Sequence, residues 1–296
     1  MAWIENVDIP FEKSGRITLH PLGDFQFDSE SCDRKMVKYA VQEVCDDPTG
    51  GMSIFLGDVE DSDRPSTRML RKGTFAGREE VLDADGKQYL YYLDKEIIPL
   101  LMPLTKTKFG IIGMLAGHHW KQLTPSLNSV QYMCNQLTAK SDRKVPYLGQ
   151  MSSWVRFLFR PKNSNNSTLK VGHIQHGEGG GNTLASAINK LELASRGFEA
   201  DFYIRAHDCK LIGAKFDKLY TKSSATPQIM SKTIALLNVG SATRGYNLTT
   251  EKLDYVEAKM MRPTTLGWGK IHFDIRKSYT HEDPQQSYRV NIGIEI

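Results

Sequence analysis

Five short segments of the sequence place an acidic or imidazole side chain directly after an apolar run. In chain order they carry Asp24, Asp58, the pair His118 and His119, His176, and His207. In an α/β fold, ligands gather at the carboxyl ends of the strands, so we expect these side chains to meet there. Aspartate and histidine together suit divalent transition metals rather than calcium. The pattern therefore predicts a metal site and indicates metal-assisted hydrolysis.

The segments before these residues predict the strands that would position them. Apolar runs predict strands at residues 16–22, 51–56, 109–115, 169–175 and 202–205. Apolar residues at helical spacing predict helices at residues 31–46, 89–104, 126–137 and 183–195. Strands that alternate with helices indicate an α/β fold, here a layered sandwich with the helices on the outside.

The pattern becomes richer in strands after residue 210. Strands are predicted at residues 211–214, 232–239, 267–276 and 287–296, and one more at 145–160. Residues 61–87 are polar and predict an irregular surface segment. We expect the β-rich part, residues 211–296, to complete the sandwich, so that residues 1–296 form a single domain.

Composition is typical of a soluble globular protein. Hydrophobic residues make up 40% and charged residues 24% of the 296-residue chain. No apolar run approaches the roughly 20 residues that a membrane span requires. The four cysteines form no CxxC pair and the N-terminus lacks a signal-peptide pattern, so we expect a cytoplasmic location. A net charge of +4 permits an anionic substrate without demanding nucleic acid.

At these segments the chain resembles the calcineurin-like metallophosphoesterases. Their blocks are Asp-x-His, Gly-Asp-x-x-Asp, Gly-Asn-His-Glu or Asp, a lone His, and Gly-His-x-His, and the match covers residues 16–209 in the same order. The chain is most similar to the phage and metagenomic branch, which carries His-Gly-x-Gly-Gly-Gly and Arg-Gly-Tyr, here at residues 176–181 and 244–246. The resemblance implies a four-layer α/β/β/α sandwich.

The resemblance also implies two divalent metal ions, manganese first, with zinc, iron or nickel as alternatives. It implies that Asp24 binds the first ion and that Asp58 bridges both. The second ion would be completed by three imidazoles, those of His118, His176 and His207.

Two further roles are carried over from the family. His119 would be the histidine that donates a proton or stabilises the transferring phosphoryl group, because its ordinary pKa lies near neutrality. Asp61 would orient His119 from behind. Two cations can neutralise phosphate oxygens and lower the pKa of a bridging water, which makes hydroxide available at neutral pH.

The chain departs from the family at the first metal. Gln26 and Cys209 stand where the family has histidine ligands. Gln26 offers a neutral oxygen and Cys209 a thiolate, so both are candidate ligands with an altered metal preference. A free cysteine is also commonly a small buried hydrophobe, and this alternative stays open for Cys209.

Other residues have two interpretations each. His173 competes with His176, but strand alternation places it on the opposite face, which favours His176. The glycines at residues 177–181 either cradle a phosphate or let the backbone pass close to the metals. The alternating aromatic and basic residues at 154–162 favour an amphipathic strand over the alternative, a nucleic-acid-binding surface. Arg64 and Arg244 are candidate substrate-binding residues.

Three functions are consistent with these residues. The first is metal-dependent hydrolysis of a phosphodiester, including a nuclease or DNA-processing role. The second is hydrolysis of nucleotides by a phosphatase or pyrophosphohydrolase. The third is a non-catalytic binding protein on a degenerate phosphoesterase scaffold, an interpretation motivated by Gln26 and Cys209. The substrate is therefore expected to be a phosphoester, with DNA or a nucleotide as candidates and no membrane partner.

Overall fold

The computed structural model describes residues 3–29, 31–61, 84–162, 167–179, 183–222, 228–246, 263–280 and 283–296. Within these ranges the strands are β1 (Trp3–Phe11), β2 (Gly15–Leu22), β3 (Met52–Phe55), β4 (Gly110–Met114), β5 (Gln122–Thr124), β6 (Leu127–Asn128), β7 (Ser152–Pro161), β8 (Thr168–Gln175), β9 (Phe202–Arg205), β10 (Ile212–Lys222), β11 (Gln228–Asn238), β12 (Lys270–Thr280) and β13 (Asp283–Glu295). The helices are α1 (Arg34–Cys45), α2 (Ala84–Tyr92), a π-helical turn (Leu93–Ile97), α3 (Ile98–Thr105), α4 (Ser129–Lys140) and α5 (Leu184–Gly197).

Two large sheets pack face to face. One has six strands in the order β1-β7-β8-β9-β11-β10, and the other has five in the order β13-β12-β2-β3-β4. The buried side chains of one strand alternate with exposed ones, as β7 illustrates with Val155, Phe157 and Phe159 turned inward. These residues join Leu19 and Phe273 from the opposite sheet in one apolar core.

Helices cover the outer face of each sheet. Helix α1 buries Val37, Ala40, Val41 and Val44, which recur at the spacing of one helical face. Together with α3 and α4 this face packs on the five-stranded sheet. Helix α5 covers the six-stranded sheet through Leu191. The molecule is thus the α/β/β/α sandwich that the sequence predicts.

Several local predictions were wrong. Strand β1 was not predicted, yet it pairs in parallel with β7 at the edge of the six-stranded sheet. The strand predicted from residue 145 begins at Ser152. The residues before it bond first to Met114 of the five-stranded sheet, through Pro146 and Leu148, and then, at Met151, to His176 after β8. The strand predicted at residues 211–214 is only the start of β10, which runs to Lys222.

Strands β10 and β11 extend the six-stranded sheet and β12 and β13 extend the five-stranded one. The single-domain boundary at residues 1–296 stays a prediction. In the ranges given above, no helix has the length and apolar character needed to cross a membrane.

Candidate metal centre

Four side chains from the two sheets converge at one end of the sandwich. Asp58 and His118 follow β3 and β4 of the five-stranded sheet, and His176 and His207 follow β8 and β9 of the six-stranded sheet. One potential ligand atom from each of the four lies within 4.8 Å of the others. The imidazole centroids are 4.6 Å apart for His118 and His207 and 5.1 Å apart for His176 and His207. We call these four residues the histidine cluster.

The backbone around the cluster is strained. Among the described residues, the non-glycine positions with a left-handed φ, from 44° to 72°, are Asp24, Gln26, Asp58, His207 and Cys209. A left-handed conformation is unfavourable for such residues and persists where the surrounding structure enforces it. Every one of these five is a residue that the sequence predicted as a metal ligand. The fold therefore maintains an unfavourable conformation at these positions.

Asp58 is held by the backbone that carries two histidines. Its Oδ1 accepts hydrogen bonds from His118 N at 2.6 Å and from His119 N at 3.0 Å. A Cβ atom at Gly117 would lie 2.2 Å from this Oδ1, so only glycine allows the approach. Because Oδ1 is used in this way, Oδ2 is the oxygen that faces His176, at 3.0 Å from its Nε2.

The donor atoms of the cluster fit a metal ion. Leu56 O accepts a hydrogen bond from His176 Nδ1 at 2.9 Å. A carbonyl accepts and cannot donate, so this contact keeps a proton on Nδ1 and leaves Nε2 as the ring nitrogen that faces the cluster. His118 Nδ1 is buried without a hydrogen-bond partner, and His176 Nε2 faces only the carboxylate of Asp58, at 3.0 Å. Buried nitrogens of this kind are normally paired, and a cation would satisfy them.

Electrostatics agree with this fit for two of the three rings. For His176, burial lowers the pKa, but the carboxylate of Asp58 outweighs this and raises it. Burial lowers the pKa of His118 to about 4 and that of His207 to about 3, so both rings are neutral at pH 7 as metal ligands must be. Burial would raise the pKa of Asp58, but the imidazole of His176 and then that of His119 hold it below its usual range. Burial raises the pKa of Asp24 to about 7, against the attraction of His176.

His119 lies beside the cluster rather than within it. Its Nδ1 is 2.7 Å from Asp61 Oδ1, and its Nε2 is 3.8 Å from Asp58 Oδ2. Burial lowers the pKa of His119, but the hydrogen bond with Asp61 and the charge of Asp58 outweigh this and raise it to about 9. The side chain is 36% exposed, so part of the ring is open to solvent.

The residues predicted for a first metal lie next to the cluster but are not part of it. Asp24 is buried, and its Oδ2 accepts a hydrogen bond from His207 N at 2.7 Å. Gln26 donates its backbone N–H to Asp58 O at 2.9 Å. Cys209 Sγ lies 3.6 Å from His207 O, and burial raises the pKa of its thiol. All three therefore contact segments of the histidine cluster.

The structure describes one of the two candidate substrate-binding arginines, Arg244. Arg64 lies outside the described residues, as do Gly180 and Gly181. Arg244 Nη2 is 2.6 Å from Asp33 Oδ2, at the N-terminus of α1, and its side chain is 61% exposed. This arginine is therefore paired with a carboxylate of its own chain.

Two other sequence interpretations can be compared with the structure. His173 is 1% exposed and packs between Trp154 and Phe198, outside the histidine cluster. Among the aromatic and basic residues at 154–162, Arg160 is paired with Asp8 and Lys162 with Glu12. These pairs are on the β1 edge of the sheet and support the amphipathic-strand interpretation.

Sequence reasoning missed a buried carboxylic acid that connects the loop of Asp58 to helices α2 and α4. Glu60 lies between Asp58 and Asp61 and is 1% exposed. It accepts hydrogen bonds from Ser129 Oγ and Tyr89 OH, and burial raises its pKa to about 8. The Gly-Asp-x-x-Asp spacing draws attention to its neighbours, and nothing local marks Glu60 itself.

Comparison with known proteins adds little to this geometry. No protein-family model matches the chain, and no curated protein matches it. A solved structure from Streptococcus pneumoniae TIGR4, of a conserved uncharacterized protein described as a predicted phosphoesterase, aligns over 94% of this chain and 99% of its own. The sequence identity is 10% and the TM-score 0.31, so no conclusion is drawn from the likeness.

Proposed function

We propose that the protein is a metal-dependent phosphoester hydrolase of the calcineurin-like type, acting on a phosphodiester. The observation that carries this proposal is the juxtaposition of the histidine cluster with the His119–Asp61 pair. In an in-line displacement at phosphorus, a bound metal ion could activate the attacking water, and a protonated imidazole beside it could serve the leaving group.

In this proposal Asp58, His118, His176 and His207 hold one divalent ion. Three imidazoles and one carboxylate suit manganese, iron, nickel or zinc rather than calcium or magnesium. When bound, such an ion supplies positive charge for phosphate oxygens and lowers the pKa of water. Asp24, Gln26 and Cys209 are proposed to hold a second, weaker ion with Asp58, because they lie outside the histidine cluster.

His119 is proposed to act on the leaving group. Its Nδ1 is engaged by Asp61, so the proton on Nε2 is the one that can be donated. A pKa raised to about 9 keeps this proton in place at neutral pH. After donation, Asp61 keeps the neutral ring in the same tautomer, with its lone pair on Nε2 ready to be protonated again.

The substrate is proposed to be a phosphodiester in a nucleic acid or nucleotide, with Arg64 and Arg244 as candidate contacts. Arg244 would have to exchange Asp33 for phosphate, which its 61% exposure permits. A nuclease should bind DNA with a strong dependence on salt concentration. Weak salt dependence with turnover of a small nucleotide would favour a phosphatase or pyrophosphohydrolase instead.

The first test is removal and restoration of metal. The protein is stripped with a chelator and dialysed, and manganese, zinc, iron or nickel is then restored singly. Hydrolysis of bis-(p-nitrophenyl) phosphate is measured, and bound ions are counted by mass spectrometry. Turnover that returns with metal supports the proposal, and the ion count distinguishes one site from two. A protein that binds metal without any hydrolysis would be the non-catalytic binding protein.

A further inference from the structure

A buried ion-pair network lies directly behind the histidine cluster. Asp208 stands between His207 and Cys209, and its side chain is completely buried. Lys190 Nζ, on α5, lies 2.9 Å from Asp208 Oδ1 and 3.2 Å from Oδ2. Arg205 Nε, on β9, lies 3.4 Å from Asp208 Oδ2. A buried carboxylate needs cations or hydrogen-bond donors to compensate for lost hydration, and two cations contact this one.

The same two cations hold the loop that follows β8. Lys190 Nζ donates a further hydrogen bond to Gly179 O, and Arg205 Nη2 donates to Glu178 O at 2.9 Å. Lys190 and Arg205 thus each contact both Asp208 and this loop. Their hydrogen bonds connect two loops that belong to different strands.

Close packing brings that loop onto Arg205. A Cβ atom at residue 177 would lie 2.6 Å from Arg205 Cζ, and Gly177 has a φ of 98°, so glycine is required on both grounds. His176 immediately precedes this glycine, and His207 immediately precedes Asp208. The network therefore connects the two segments that supply imidazoles from the six-stranded sheet.

The backbone conformation shows why such an anchor is needed. The residues on either side of Asp208 are both left-handed, with φ of 72° at His207 and 49° at Cys209. These conformations persist where surrounding contacts enforce them. The buried ion pairs of Asp208 act on the residue between the two, beside the hydrogen bond from His207 N to Asp24 Oδ2.

We propose that Asp208, fixed by Lys190 and Arg205, is a positioning residue that sets the affinity of the histidine cluster for a divalent cation. It does so by holding the backbone at His207 and, through the shared cations, the loop after His176. This inference rests on the metal site of the proposed function and does not depend on whether hydrolysis follows.

Lys190 offers the best test, because its side chain is 25% exposed and its removal leaves the apolar cores intact. The chain supplies a matched control in Lys232, whose Nζ lies 3.1 Å from Asp201 Oδ1. The side chains of Lys232 and Asp201 are 29% and 11% exposed. This ion pair lies on the same sheet and outside the histidine cluster.

The experiment compares wild type, Lys190→Met, Lys190→Arg and Lys232→Met. Each metal-free protein is titrated with Co²⁺, and the visible absorption spectrum of bound cobalt is recorded with the dissociation constant. We expect Lys190→Met to weaken cobalt binding by about 10- to 100-fold, as loss of groups that orient metal ligands does, and to change the spectrum. Lys190→Arg is expected to recover part of the affinity, and Lys232→Met to bind as wild type.

Equal affinity and an unchanged spectrum for Lys190→Met would overturn the positioning role. An equal loss in Lys232→Met would do the same, since the effect would then be one of general stability. If circular dichroism finds Lys190→Met unfolded, the near-isosteric Asp208→Asn is titrated and judged by the same criteria.

A wild type that binds no cobalt overturns the inference together with the proposed metal site. A wild type that binds cobalt but hydrolyses no phosphoester leaves the positioning role in place and removes the proposed function.

Discussion

The Nδ1 atom of His119 lies 2.7 Å from Oδ1 of Asp61, while the other ring nitrogen points towards the histidine cluster. This arrangement gives each nitrogen a separate task. One lies at hydrogen-bonding distance from a carboxylate, and in the proposed mechanism the other donates a proton to the leaving group. The second nitrogen, Nε2, lies 3.8 Å from Asp58 Oδ2, which is too far for a hydrogen bond.

His119→Ala is expected to lower kcat by about 10²- to 10⁴-fold, the usual contribution of a general acid. The loss should be larger for an alkyl phosphodiester than for a p-nitrophenyl ester, because p-nitrophenolate needs little protonation to leave. Steady-state kinetics with both substrates measure this difference. Metal content should stay at the wild-type level, since His119 is outside the cluster. Unchanged hydrolysis of the alkyl diester would contradict the proposed role.

Asp61→Asn is expected to lower kcat less than His119→Ala does, because the amide can still accept a hydrogen bond from Nδ1. The variant loses the main support for the raised pKa of His119. The double variant should be no slower than His119→Ala alone, since Asp61 acts through the ring. Kinetics of the three variants test this, and additive losses would mean that Asp61 has another role.

His118→Ala is expected to remove the more tightly bound ion, because it takes one of four ligands from the histidine cluster. Cys209→Ser is expected to leave that ion in place and to affect the weaker one. Isothermal titration calorimetry with Mn²⁺ or Zn²⁺ follows both sites. The reverse result, with tight binding lost in Cys209→Ser and kept in His118→Ala, would refute the assignment of the tighter site.

Gly117→Ala is expected to reduce the free energy of unfolding by more than about 2 kcal/mol, because a left-handed alanine is strained and its Cβ collides with Asp58. The φ of Gly117 is 79° and the collision distance is 2.2 Å. Gly197→Ala is the matched control, since a Cβ at this helix end meets nothing within 4 Å. Urea denaturation measures both, and equal stabilities would contradict the strain.

His173 should make stability depend on pH. Burial lowers the pKa of His173 to about 4 from an ordinary value of 6.5. On acidification, His173 is therefore protonated in the unfolded chain at a higher pH than in the native protein. Stability is therefore lost as pH falls below 6.5 and the loss is complete near pH 4. Between pH 7 and pH 5 this amounts to about 2 kcal/mol. His173→Phe should lack this component, and urea denaturation of both proteins at the two pH values measures the difference.

The strand ends that carry the histidine cluster could be predicted because their signal is local. An apolar run followed by aspartate or histidine is visible at residues 52–58 and 169–176 without any knowledge of pairing. Strand β1 had no such signal. It contains Asn6, Asp8 and Pro10, and it is a strand because it pairs with β7, far away in the sequence.

The network around Asp208 was also beyond local reasoning. Its members come from α5, β9 and the loop after β9, and their ion pairs arise only once the sheet and helix have packed. The left-handed conformation of His207 is likewise accompanied by a tertiary contact, the hydrogen bond from its backbone N–H to Asp24 Oδ2. Spacing could propose His207 as a ligand, but it could not reveal what holds the residue in place.

The division of the histidine cluster between two sheets has a consequence for folding. Asp58 and His118 belong to one sheet and His176 and His207 to the other, so a bound cation would be a crosslink across the sandwich. An ion that binds the native state alone adds to its stability according to concentration and affinity. A chain with only one sheet formed would present half of the ligands. Full occupancy of the metal site would therefore require that both sheets had formed and packed together.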